Sequence, residues 1–213
     1  MHWLDPDYLP EVSGTFERFL LNPRGEADGM ILADGTEVHF PPHMSAEVCA
    51  AIRPGEKTKV TIRGVRPRVG DLIAAVAIAT ADGRRIFDNG PPKGHDEEKA
   101  HKHQAKPKRE PMDVDGIVRR ILHGPKGEAR GALLEDGRIV RFAAKDAEAV
   151  ASLLAPGRPL AVRGEGLTSA LGTVIEAHEM GSSLDGLRPL KARKPKPARH
   201  GDDDAGDAEP RVA

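Results

Sequence analysis

From Val12 to Thr80 short apolar runs alternate with tight turns, and the same succession returns from Val114 to Ser182. The first run, VSGTFERFLL, is rich in β-branched and aromatic residues and predicts a strand. Gly14 inside it marks a bend or a close backbone approach. Asn22-Pro23-Arg24-Gly25 reads as a turn, because Pro presets φ and Gly tolerates the left-handed exit. GMIL predicts a second strand, Asp34-Gly35 a two-residue hairpin, and TEVHF a third strand. A short helix follows from about Ser45 to Arg53, with Ser45 as N-cap. Val48, Ala51 and Ile52 share one face of it, and Pro54-Gly55 stops it. KTKVTIRG then alternates: Thr58, Val60 and Ile62 face one side, and Lys57, Lys59, Thr61 and Arg63 the other. The last strand, LIAAVAIA, is apolar on both faces and calls for burial on both. The expected cover for its outer face is the second unit or another subunit.

The repeat is read with a constant offset of 102 and no gap, from Val12/Val114 through Gly14/Gly116, Pro23/Pro125, Gly25/Gly127, Asp34/Asp136, Phe40/Phe142 and Gly55/Gly157 to Val60/Val162 and Gly64/Gly166. Positions apolar in both copies are candidate core. The division that follows is an N-terminal arm 1–11, a first unit 12–88, a flexible charged linker 89–111, a second unit 112–185 and a disordered basic-then-acidic tail 186–213.

Composition narrows this picture in three ways. The 213 residues suit two small domains, each near the lower limit for a core of its own, so the copies gain by packing together. The single cysteine, Cys49, rules out an intramolecular disulfide and fits a reducing cytoplasm. The first residues lack the basic and apolar regions of a signal peptide, and the expected location is cytoplasmic. The formal net charge of −1 names no partner, yet Lys191, Arg193, Lys194, Lys196 and Arg199 form an acid-free basic stretch. An acidic end with Asp202, Asp203, Asp204, Asp207 and Glu209 follows it.

Five strands with one helix between the third and fourth resemble the OB-fold, a small Greek-key barrel. The Pro-x-Gly-Glu turn, the Leu-x-Asp-Gly hairpin and Val-x-Phe are also similar to an uncharacterised group of bacterial OB-like proteins, to which no activity attaches. A small barrel of SH3 type is the structural alternative. The expected class is mainly β: two tandem five-stranded OB-like barrels, each with one short helix.

The resemblance implies a nucleic-acid surface on the second and third strands, with the loops joining strands one to two and four to five. It places Arg24 and Lys126 in the first loops and Arg66 and Arg68 in the second loop of the first copy. His39 and Arg141 become outward members of the third strand. Lys57, Lys59 and Arg63 form an outward row in the first copy, and Arg163 stands at the position of Thr61 in the second. Lys191, Arg193, Lys194 and Lys196 add non-specific cationic contacts. Aromatic residues are only 3% of the chain, so phosphate contact outweighs base stacking. His95, Asp96, His101 and His103 lack structured zinc-site spacing, and neither metal nor cofactor is expected.

No phosphate-binding loop, nucleophile elbow, HExxH helix or dinucleotide fingerprint is present, and no enzyme is expected. The leading expectation is a non-enzymatic, low-specificity binder of single-stranded DNA or RNA. The alternative is a protein-interaction or scaffold module, with a protein partner or a second copy of the chain on the last strand of the first barrel.

Overall fold

The computed structural model describes residues 5–67, 71–90 and 107–191. The first unit contains β1 (Glu11–Leu21), β2 (Ala27–Leu32), β3 (Glu37–His39), α1 (Ser45–Ala51), β4 (Lys59–Val65), β5 (Leu72–Thr80) and β6 (Arg85–Phe87). The second contains β7 (Glu110–His123), β8 (Ala129–Leu134), β9 (Ile139–Arg141), α2 (Ala147–Val150), β10 (Pro159–Ser169), β11 (Gly172–Gly181) and β12 (Arg188–Pro189). In each unit the first strand pairs antiparallel with the second and fourth, and the third runs parallel to the fifth. That closes a five-stranded barrel in OB order, with the helix between the third and fourth strands. The closure and the helix position exclude the SH3-type alternative.

The long first strand serves both sides of its barrel because it bends and bulges. Gly14 and Gly116 let it pass close to Leu32 and Leu134. Its register with the second strand then shifts between Phe16 and Arg18, and again between Val118 and Arg120. The bulges leave Glu17 and Arg119 outside the ladder. Inside, Phe16, Leu20, Met30, Leu32, Val38, Val48, Ile52, Ile62 and Ile78 fill the first barrel. Val118, Leu134, Val140, Phe142, Leu154, Val162 and Ile175 fill the second.

Several local expectations change. Ser45 is not the N-cap of α1. A 3-10 turn over Pro42–Met44 leads into the helix, and Ser45 Oγ accepts the Ala27 N–H at 2.9 Å, tying helix to sheet. The Asp34-Gly35 hairpin is a three-residue loop: the Gly35 N–H reaches Leu32 O, and Gly35 takes φ +91°. A sixth strand lines the outer edge of the fifth in both units, β6 on β5 and β12 on β11. The second sheet therefore runs beyond residue 185, and its first strand starts at Glu110.

The largest correction concerns the repeat itself. Val12 faces Ile62 and Val114 faces Val162, so the first strands are offset by 102 and the fourth by 100. The fifth strands return to 102, since Ile73 and Ile175 face Val38 and Val140. Two additional residues between Gly55 and Thr58 in the first copy cause the slip. Two additional residues in the β10–β11 hairpin reverse it. Arg163 therefore matches Arg63, not Thr61, and Gly164 matches Gly64.

Candidate nucleic-acid interface

The β2–β3 surface, where the ligand was expected, is the seam between the barrels. The outward side chains of β2 and β3 include Ile31, Glu37 and His39, and those of β8 and β9 include Leu133, Ile139 and Arg141. Leu122, Leu133, Ile139, Leu167 and Val174 join the hydrophobic cluster of the first barrel. His39 and Arg141 point outward from their barrels as expected, but each is only 7% exposed, buried in the seam instead of open to a ligand. Ile31 and Leu133 make these faces partly apolar, and two such faces cover one another more cheaply than either faces water.

The seam is nearly two-fold symmetric. Arg18 donates to the Gly137 carbonyl at 3.2 Å, and Arg120 donates to the Gly35 carbonyl at 2.8 Å. The bulge residues Glu17 and Arg119 form an ion pair at 2.6 Å across the axis. Away from the axis the symmetry breaks. Glu37 Oε1 accepts from the His123 backbone N–H at 2.9 Å, and its carboxylate also meets His123 Nδ1 at 3.1 Å and His39 Nε2 at 3.0 Å. The corresponding pair on the other side, Ile139 and Leu21, is apolar. Burial pushes the Glu37 carboxyl upward, but the hydrogen bonds from His123 and His39 outweigh it and hold it at about 2. Arg141 Nε donates to Leu21 O at 2.8 Å, and its Nη2 meets Asp28 at 2.9 Å. Burial still raises the Asp28 carboxyl, with Arg141 opposing.

Beside the seam opens a cleft of about 800 Å³. The two β1–β2-type turns lend it Asn22, Pro23, Gly124 and Pro125, and the second barrel lends Arg130, Lys145, Asp146, His178 and Lys191. Its acids are engaged: Asp28 by Arg141, Glu179 by Arg163, Glu176 by Arg109, and Asp146 by the Lys191 N–H at 3.0 Å. Lys145 and Lys191 form no ion pair with another described residue, and Arg130 lies only loosely near Glu128, at 3.6 Å. Asp146 thus fixes Lys191, the first residue of the basic stretch, against the second barrel.

The sequence-selected cations do not gather in one place. Arg24 and Lys126 are exposed at the turn tips next to the cleft. Lys57, Lys59 and Arg66 are exposed on the first barrel and do not line the cleft. Arg63 is held by Glu11 at 2.6 Å, and Arg163 is held by Asp113 at 2.9 Å. Arg68, Arg193, Lys194 and Lys196, like the linker histidines and Asp96, lie outside the described residues. Sequence reasoning missed Arg130 and Lys145. Their signal was the change between copies, since Asp28 and His43 stand at the matching positions.

Of the two covers expected for the last strand of the first barrel, the second unit does not supply one. The second barrel packs on the β1–β2–β3 side, whereas the N-terminal arm lies against β4 and reaches Arg85 of β6, the strands on either side of β5. Asp7 there bridges Arg63 of β4 and Arg85 of β6.

No family model matches the chain, and no curated protein matches it. Among solved structures it is similar to the single-stranded DNA binding protein from Thermus aquaticus. The wild-type protein is 16% identical, with 86% of this chain and 95% of that chain covered and a TM-score of 0.27. An engineered deletion variant is 17% identical, with 87% and 96% covered and a TM-score of 0.26. Strand order and register define the class of this chain: a tandem OB-fold protein whose two barrels meet through their β2–β3 faces. Among the described residues no helix is long and apolar enough to cross a membrane.

Proposed function

We propose that this chain is a non-enzymatic protein that binds single-stranded DNA or RNA with little sequence preference, in the cleft beside the seam. The observation that carries the reading is the charge of that cleft. Three of its carboxylates are paired with arginines and Asp146 accepts a backbone N–H, while Lys145, Lys191 and Arg130 line it, with Arg24 and Lys126 on the neighbouring turns. Such a surface neutralises phosphates and releases counterions. Phe142, the one Phe, Tyr or Trp among the described residues lining the cleft, is buried, so stacking on such rings contributes little. A second reading, a protein-interaction module without nucleic acid, is favoured by the burial of both β2–β3 faces.

The test is fluorescence anisotropy of labelled dT and rU oligonucleotides with full-length protein at low and near-physiological salt. Lys145→Glu and Arg130→Glu should each weaken binding and reduce the salt slope by about 0.7 for each phosphate no longer neutralised. Lys59→Glu, away from the cleft, should have a smaller effect. Equal affinity for all variants, or no binding at low salt, would sink the cleft reading in favour of the protein module. A truncation after Lys191 preserves β12 and separates barrels from tail.

A further inference from the structure

The outer face of β4, β5 and β6 carries a second surface, independent of the cleft. Val65, Ala74, Ala77, Ala79 and Phe87 form its apolar part. The register sets Val65 opposite Ala74, Arg63 opposite Ala77 and Ala77 opposite Phe87. Arg63 and Arg85 flank the middle strand, and the Arg85 guanidinium stacks over the Phe87 ring at 5.4 Å from its centroid. Across this surface runs the arm. Its 3-10 turn, Pro6–Tyr8, is capped by Asp5, which accepts the Asp7 N–H. Arg63 donates to the Asp7 carbonyl at 2.8 Å, and the Asp7 carboxylate meets Arg85 at 3.2 Å and Arg63 at 3.8 Å.

Two observations set this face apart. Among the described residues, two of the five exposed large apolar side chains lie on this face, Val65 at 46% and Phe87 at 37%, and a third, Tyr8, stands on the arm that crosses it. Aromatic rings beside arginines are the composition of protein-binding surfaces. The second barrel supplies the contrast. There Arg109 stands where the first copy has Asp7, and it pairs with Glu176 and Glu165. Glu165, Glu176 and Glu179 replace Val65, Ala74 and Ala77. Both barrels therefore hold an arm by charge, with the signs reversed, and only the first combines cations with exposed apolar groups.

We propose that the face between Arg63 and Arg85, over Ala77, is a docking surface for an acidic, proline-containing segment of a partner protein that takes the turn seen in the arm, and that the arm occupies it in cis as a weak competitor. The arm is itself the template for the ligand: a carboxylate reaches both arginines and a backbone carbonyl accepts from Arg63. Surface ion pairs hold it, so displacement is cheap.

The probe is a fluorescein-labelled peptide with the sequence of residues 4–11, titrated into full-length protein. Asp7→Ala unties the arm and should bind the peptide roughly threefold tighter than the natural chain. Adding Arg85→Gln should abolish that gain. A peptide with both aspartates changed to asparagine should not bind. Circular dichroism checks that each variant is folded; Arg85 is half exposed and leaves the core untouched. The proposal is overturned if no variant binds the peptide, or if Asp7→Ala and the natural chain bind alike. It is equally overturned if Arg85→Gln changes nothing. Displacement of the peptide by a dT oligonucleotide would assign the face to phosphates. A concentration-dependent dimer, lost in Asp7→Ala, would assign it to the arm of a second copy. Either result overturns it as well.

Discussion

Glu37 is a buried carboxylate with its lone pairs spent on two histidines and a backbone N–H from the other barrel. Its native carboxyl, at about 2, holds a proton less tightly than the unfolded chain, where the ordinary value is 4.5. Acid therefore favours unfolding. The contribution, about 3 kcal/mol, is complete above pH 4.5 and disappears as the pH falls through 2. Urea unfolding followed by circular dichroism at pH 7 and pH 3 should show the loss. Glu37→Gln should cost about 2 kcal/mol at pH 7 and flatten this part of the acid dependence. Equal acid sensitivity in both proteins would remove Glu37 as the source. At this scale the sequence was only half legible. The alternation of β4 identified Arg63 as outward, but nothing local announced that Glu11 neutralises it. His39 and Arg141 looked solvent-facing because a strand pattern distinguishes two faces without saying what lies against the outer one.

At the scale of elements, turns and strands were legible wherever chemistry forces the backbone. The glycines of the turns, the bend at Gly14 and the alternation from Thr58 to Ile62 all appear where they were read. The offset of the fourth strand was not, because matching Val60 with Val162 and Gly64 with Gly166 preserved identities while breaking register. The shorter pattern Ile-Arg-Gly against Val-Arg-Gly, over 62–64 and 162–164, held the correct match. The structure makes it testable. A methyl group on Gly64 would collide with the Ala74 carbonyl oxygen, and one on Gly164 with that of Glu176. Gly64→Ala and Gly164→Ala should each destabilise by about 3 kcal/mol, measured by thermal unfolding. Tolerance of either would place that strand in a different register. The β10–β11 hairpin reaches the other barrel, with Leu167 against Gly25. Leu167→Ala should therefore cost about 2 to 3 kcal/mol, although it lies near a hairpin tip.

For the whole molecule, the number of units and their closed sheets followed from the repeat. How they meet did not, since no local pattern distinguishes a sheet face that binds a ligand from one that binds its own duplicate. The bulge residues define that meeting. Glu17→Arg would set two cations against each other at the axis and should cost about 1 kcal/mol. Combining it with Arg119→Glu should recover most of the loss, and a double-mutant cycle without coupling would show that the pair plays no part.

That axis also has a hereditary consequence. Recombination between tandem repeats tends to make their sequences alike. Here it would be harmful, because a second glutamate opposite Glu17, or a leucine in the place of His123 beside Glu37, strands a charge inside the junction. At the Glu17–Arg119 and Glu37–His123 contacts the two halves of one pattern serve by differing, whereas Arg18 and Arg120 serve by staying alike.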